Sequence, residues 1–234
     1  MSAVNQAADA APEMRRVSLD AQATVTIGPF SRRGRSRVPI AAADHDCPPE
    51  ATVTPVGLLL PEFAALFLYG VTSRVTSDCL VDCLVRWWEA VRERFPHSTT
   101  LVRNLDNGPE NHSRRTPFMH RLVAFARWSG LRVRLAYYPP YQSKDNPVER
   151  CWGLLEQHWN GTLRDASDTA VQFAATRTWK GKRPAVALVT TVYQRGVTLT
   201  QEAMAAVEAH LTRLPHREKW FVDISPLPAP DRET

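Results

Sequence analysis

Three acidic residues stand where backbone elements should end or begin. Asp106 closes the apolar run TLVRNLD and is followed by Asn107-Gly108-Pro109. Glu149 sits in YYPPYQSKDNPVERCW, just inside a new helix if Asn146 is the N-cap and Pro147 the first helical residue. Asp20 lies in RRVSLDAQ, where strand alternation puts Ser18 and Asp20 on the face opposite Val17 and Leu19. In an α/β sheet, functional groups gather at strand ends and beside the helix starts. Carboxylates brought together there make a seat for divalent metal ions. An acid inside a central strand is also costly unless it is paired or bound to a cation. Each acid has a plain structural reading as well. Asn146-Pro-Val-Glu149 can form a capping box, Asp106 can be an ordinary turn aspartate, and Asp20 can pair with Arg15, Arg16 or a basic loop.

The elements that must position these acids follow from periodicity. Residues 15–28 read as one strand or two short ones, rich in β-branched residues and closed by Gly28-Pro29, and 29–55 reads as a long connection. Two apolar runs of strand length, 57–63 and 65–73, are broken by Pro61. From 76 to 95 the apolar positions Leu80, Cys83, Leu84, Trp87, Trp88 and Val91 recur at helical spacing, with Ser77 or Thr76 as cap. A strand over 99–106, a helix over 116–129 and a strand over 132–138 follow. A helix over 147–159 carries Val148, Trp152, Leu155 and Trp159 as an apolar stripe. Helices near 166–179 and 200–214 flank a segment at 185–194. This order predicts a mixed sheet with helices on its faces.

The chain has 234 residues, enough for one sizeable α/β domain. It has no run of eighteen or more apolar residues and no signal-peptide core, so the expectation is a cytoplasmic protein without membrane contact. Cys47, Cys79, Cys83 and Cys151 form no zinc-type spacing; Cys79 and Cys83 read as small core residues. Asp44-His45-Asp46-Cys47 looks like a ligand cluster but runs into Pro-Pro and reads as turn chemistry. Net charge is +5, compatible with nucleic acid. Arg32, Arg33, Arg35 and Arg37 share one glycine-containing loop, and Lys180, Lys182 and Arg183 follow Trp179. These residues, with Lys144 beside the Glu149 helix, are candidate contacts to DNA phosphates; a solvated face is the alternative. Arg103 places a charge where a central strand is normally aliphatic.

At this level the chain resembles DDE-class insertion-sequence transposases. PPYQSKDNPVERCW is similar to the PPY–NPIE–W segment of that family, LDNGPEN to its second-acid strand end, and VSLDAQATVTIGPFSRRGRSR to its first-acid strand in one insertion-sequence group. WNGTL, TWKGKRP and LVTTVYQ resemble that group's C-terminal extension, so the likeness spans roughly 16–224. The resemblance implies an α/β, RNase H-like mixed β-sheet flanked by helices, with a helical C-terminal extension. It implies a disordered lead-in over 1–15, the DDE catalytic core over 16–163, an extension packed on the core over 164–224 and a disordered tail over 225–234. It further implies Asp20, Asp106 and Glu149 as catalytic and metal-holding residues, with two Mg²⁺ (or Mn²⁺) ions, Asp20 bridging both. The implied activity is cleavage and strand transfer at insertion-sequence ends. The DNA partners would be element ends and target, the active complex a homodimer or higher, and the location the bacterial cytoplasm and nucleoid. An N-terminal DNA-recognition region, usual in such proteins, finds no room ahead of Asp20. The alternatives are an RNase H-like nuclease that does not join, or a truncated, inactive remnant that only binds DNA. Without metal, three neighbouring carboxylates should repel one another and raise at least one pKa.

Overall fold

The computed structural model describes residues 2–28, 51–106, 108–138, 146–159, 167–194, 196 and 198–227. Its centre is a mixed sheet of nine strands among the described residues. The strands are β1 (Met14–Ala21), β2 (Val25–Ile27), β3 (Ala51–Leu60), β4 (Ala65–Val71), β5 (Thr100–Leu105), β6 (Arg132–Tyr137), β7 (Ala185–Val189), β8 (Leu211–Arg213) and β9 (Phe221–Ile224). The sheet order is β7-β4-β3-β1-β5-β6-β9-β8, with β2 paired to β3. β1 runs parallel to β5, and β5 to β6, while β3 is antiparallel to β1. The parallel trio needs crossovers, and the helices α2 (Ser77–Val91) and α3 (Thr116–Ser129) lie in them. The remaining helices are α1 (Ser2–Ala10), α4 (Glu149–Trp159), α5 (Ser167–Ala175) and α6 (Gln201–Glu208).

Strand alternation divides the core into two layers. Val17 and Leu19 of β1, Leu101 and Leu105 of β5, and Val133 and Leu135 of β6 pack with Leu84, Trp87, Phe118 and Leu122 of α2 and α3. On the other face Leu59, Leu66 and Leu68 pack with Val148, Trp152, Leu155 and Trp159 of the α4 segment. Each such side chain, fully buried, contributes on the order of 1.5–3 kcal/mol. Thr76 caps α2 by accepting from the Cys79 N–H, and Gly130, at φ 73°, ends α3 in the left-handed conformation that glycine adopts without strain. Arg121 on α3 bridges Asp78 and Asp82 on α2, locking the two helices together.

Several elements differ from the expectation, each for a tertiary reason. Residues 2–10, expected as part of a disordered lead-in, form α1. The helix is held by Asp9, which accepts two hydrogen bonds from Arg16 at 2.7 Å, and by Asn5, which accepts from Asn104 at 2.9 Å. The helix expected to reach residue 214 stops at Glu208, and Leu211–Arg213 joins β9 as an edge strand. The helix expected to include Trp179 ends at Ala175, and Trp179 instead pairs with Lys182 in a tight hairpin. The 164–224 segment, expected as a helical extension, adds strands at both edges of the sheet: β7 beside β4, and β9 with β8 beside β6. Most of the 29–55 connection and of the 225–234 tail lies outside the described residues; the end of the former, 51–55, belongs to β3. Among the described residues no helix is long and apolar enough to cross a membrane.

Candidate functional site

The parallel register brings two of the three acids together. Ser18 of β1 pairs with Asn104 of β5, so Asp20 and Asp106, each two residues further on, lie at matching levels of neighbouring strands. Asp20 is pushed up to about 6, first by burial and further by the negative charge of Asp106. Hydrogen bonds from the Trp152 indole and the Ala21 backbone oppose that rise. Trp152 Nε1 donates to Asp20 Oδ2 at 3.1 Å. The repulsion expected between uncompensated carboxylates is therefore present, but desolvation outweighs it.

Asp106 is held from the loop that follows it. Asn111 Nδ2 donates to Asp106 Oδ1 at 2.8 Å, and Asn111 is itself buried. Three other elements pin that loop. Tyr137 of β6 donates its O–H to the Asn111 carbonyl at 2.7 Å, Ser77 of α2 donates to the Glu110 carbonyl at 2.6 Å, and Arg213 of β8 donates to the Ser113 carbonyl at 3.0 Å. A side chain at Gly108 would place its Cβ 3.2 Å from Asp106 Oδ2, so glycine keeps that carboxylate oxygen uncrowded. Removing the Asn111 amide leaves Asp106 without its donor inside a partly buried loop. Asn111→Ala is expected to cost about 1–2 kcal/mol, read as a drop of a few degrees in the melting temperature. An unchanged melting temperature would show that the loop holds Asp106 without this bond.

Glu149 is the first residue of α4, two positions nearer the helix start than expected. The Asn146 side chain does not cap the helix, because it serves β1. Ser18 Oγ donates to Asn146 Oδ1 and accepts the Val148 N–H at 3.1 Å. Glu149 N–H bonds instead to the Asn146 backbone carbonyl at 3.1 Å. Glu149 thus enters the helix three residues before Trp152, whose indole holds Asp20. Among the described residues no set of three His, Cys, Asp or Glu side chains is gathered closely enough to hold a metal ion, so Glu149 does not close on the aspartate pair as the chain stands.

The basic residues are placed unevenly. Lys182 Nζ donates to the Phe63 carbonyl at 2.8 Å, in the turn between β3 and β4, away from the aspartates. Lys180, in the left-handed conformation at φ 46°, lies close enough to α4 to hold the Cys151 thiol down against burial, which lifts it to about 12. Arg183 is exposed just after the hairpin. Arg32, Arg33, Arg35, Arg37, Lys144 and the Asp44–Cys47 cluster lie outside the described residues.

Trp152, Asn111 and Ser18 are contact residues to which the sequence reading assigned no role at the acids. Trp152 reads as a member of an apolar stripe and as the end of the NPVERCW segment, Asn111 ends LDNGPEN, and Ser18 shares the Asp20 face by strand alternation.

A family model described as Rhodopirellula transposase DDE domain matches residues 2–226. No curated protein is detectably similar in sequence. Among solved structures, the Mos1 transposase paired-end complex with left transposon end is similar at TM-score 0.50 and 11% identity. That likeness covers 68% of this chain and 46% of the Mos1 chain. The Mos1 mariner paired end complex with Mn gives TM-score 0.49 and 12% identity over the same shares. This chain therefore spans less than half the length of the Mos1 chain, and the likeness concerns the fold, an RNase H-like mixed sheet flanked by helices. On a match that runs almost from end to end, the chain belongs to the family of the Rhodopirellula transposase DDE domain.

Proposed function

We infer that this domain cleaves and joins DNA strands at the ends of an insertion sequence, using Asp20, Asp106 and Glu149 as its acids. The supporting observation is the pair Asp20–Asp106: two carboxylates at adjacent parallel strand ends, the first of them raised to about 6 by burial and by the second. Among the ion pairs of the described residues none involves either aspartate. An all-carboxylate donor set fits a hard divalent cation such as Mg²⁺ or Mn²⁺. The chemistry such ions supply when bound is activation of the attacking oxygen and stabilisation of the leaving one.

The chain's own residues do the positioning. Asn111 occupies one oxygen of Asp106 and leaves the other, beside Gly108, for a ligand. Trp152 fixes one oxygen of Asp20. Glu149, carried by α4, is the third acid. The basic residues Arg32, Arg33, Arg35, Arg37, Lys144, Lys180, Lys182 and Arg183 are proposed contacts to DNA phosphates. A homodimer or higher assembly is the proposed active form, since two element ends must be paired.

The test is Mn²⁺-dependent nicking of duplex DNA, and joining of pre-cleaved ends, by wild type and by Asp20→Ala, Asp106→Ala and Glu149→Ala. Each variant is expected to lose at least about 100-fold in rate, the scale of removing one preorganised electrostatic contact. A variant with full activity removes its residue from the set. Nicking without joining marks a nuclease. DNA affinity indifferent to Mn²⁺ and to all three substitutions marks a binding remnant.

A further inference from the structure

The seat of α4 on β1 is a ladder of polar contacts with matched spacing. Ser18, Asp20 and Gln22 follow one another on a single face of the strand line. Facing them at four-residue intervals are Val148, Trp152 and Glu156. The Val148 N–H donates to Ser18 Oγ at 3.1 Å, Trp152 Nε1 to Asp20 Oδ2 at 3.1 Å, and Gln22 Nε2 to Glu156 Oε1 at 3.4 Å. Two strand residues advance by roughly 6.6 Å and four helical residues by roughly 6.0 Å, so a helix lying along the strand meets it rung for rung. A shift of α4 by one residue would break every rung.

The middle rung needs a gap in the sheet. Asp20 is paired across the ladder with Gly57 of β3. A Cβ at that glycine would stand 2.5 Å from Trp152 Cη2 and 3.0 Å from both Trp152 Cζ2 and Val148 Cγ2. The indole therefore lies in the space a side chain at 57 would fill, and only from there does its N–H reach the acid on the neighbouring strand.

We propose that Trp152, seated over Gly57, is a positioning residue that orients the Asp20 carboxylate and sets the level of Glu149 along β1. The proposal rests on reading Asp20 as an ion-holding acid. Neutral donors that orient a ligand are worth about 10- to 100-fold in metal affinity or activity in known sites. The indole suits that role: it fixes one oxygen without bringing a positive charge that would compete with the metal. Glu149 lies between the Val148 and Trp152 rungs, so the same contacts fix its level.

The 234-residue chain is compared as wild type, Trp152→Phe, Trp159→Phe, Gly57→Ala and Asp20→Asn in two measurements. One is the Mn²⁺ concentration giving half-maximal nicking of supercoiled plasmid. The other, free of DNA and of turnover, is the rise in melting temperature on adding Mn²⁺. Trp152→Phe keeps an aromatic ring and removes the N–H. It is expected to raise the half-maximal Mn²⁺ concentration about 10-fold and to shrink the Mn²⁺-induced rise. Trp159→Phe trims a ring in the same buried cluster and should leave both readings at wild-type values. Gly57→Ala pushes the indole out of its slot and should reproduce Trp152→Phe; if Trp152→Phe does not fold, Gly57→Ala decides. Wild-type Mn²⁺ dependence in Trp152→Phe, or an equal shift in Trp159→Phe, overturns the positioning role and leaves packing alone. Retention of the Mn²⁺ response by Asp20→Asn overturns something different, the reading of Asp20 itself.

Discussion

Asp20→Asn is expected to make the metal-free protein more stable at pH 7.5 while abolishing the Mn²⁺-dependent activity proposed for it. The carboxyl is raised from 3.8 to about 6, chiefly by burial, so the folded chain holds this proton more tightly than the unfolded chain does. The contribution of the group to stability is then fully present below about pH 4. It is lost as pH rises through about 6, because folding at neutral pH must bury a charge. A shift of about two units corresponds to roughly 3 kcal/mol at most, and solvent reached through the partly open site reduces it. Asparagine keeps the shape, and its carbonyl can still accept the Trp152 N–H. The expected gain is about 1–3 kcal/mol, or several degrees in melting temperature, at pH 7.5, shrinking to nothing near pH 4. Melting both proteins in chelator at the two pH values decides the matter. A difference that is the same at both would show that ionisation of Asp20 is not its source. Adding Mn²⁺ should reverse the ranking, because a ligand that binds only the folded wild type stabilises only the wild type.

Arg103→Met is expected to raise the melting temperature by about 2–10 °C, from a gain of about 1–4 kcal/mol. Arg103 lies in the middle of β5 with 0% exposure, and Nε, Nη1 and Nη2 find no hydrogen-bond partner among the described residues. Its compensation is the face of Phe118, 4.9 Å from the guanidinium carbon, and the electrostatic influence of Tyr137 and Asp106. Burial pulls its pKa down to about 10 against those opposing influences. A cation–π contact of ~2 kcal/mol is small beside the cost of dehydrating a guanidinium. Methionine fills similar volume and packs against the same ring. A loss of stability in Arg103→Met would mean that the charge is balanced by groups outside this set, and internal water is the first candidate. The guanidinium also interacts electrostatically with Asp106.

Both predictions concern residues whose oddity is visible in the bare sequence. An aspartate in RRVSLDAQ and an arginine in TLVRNLD break the apolar logic of central strands, and both strands form where periodicity places them. β5, β6 and α3 lie within a residue of their expected bounds, because each carries strong local punctuation: Asn107-Gly108-Pro109, Pro139-Pro140 and Gly130. Local signals failed where long-range pairing decided. α1 has little pattern of its own and is held by Asn104 and Arg16. β8 reads as the end of a helix until β9 is beside it. Asn146 has the chemistry of a cap, but Ser18, more than a hundred residues away in the chain, takes its side chain.

The site divides in the same way. Residue types, alternation and strand ends were enough to nominate Asp20, Asp106 and Glu149, because a period of two and a helix start are local properties of the chain. The parallel register that levels Asp20 with Asp106, the glycine slot that admits Trp152 and the loop contacts that bring Asn111 to Asp106 belong to the tertiary structure alone. No local rule says which way an indole N–H points or which strand a glycine will neighbour. Those choices are made when β1, β3 and α4 pack, and they determine what the two aspartates can hold.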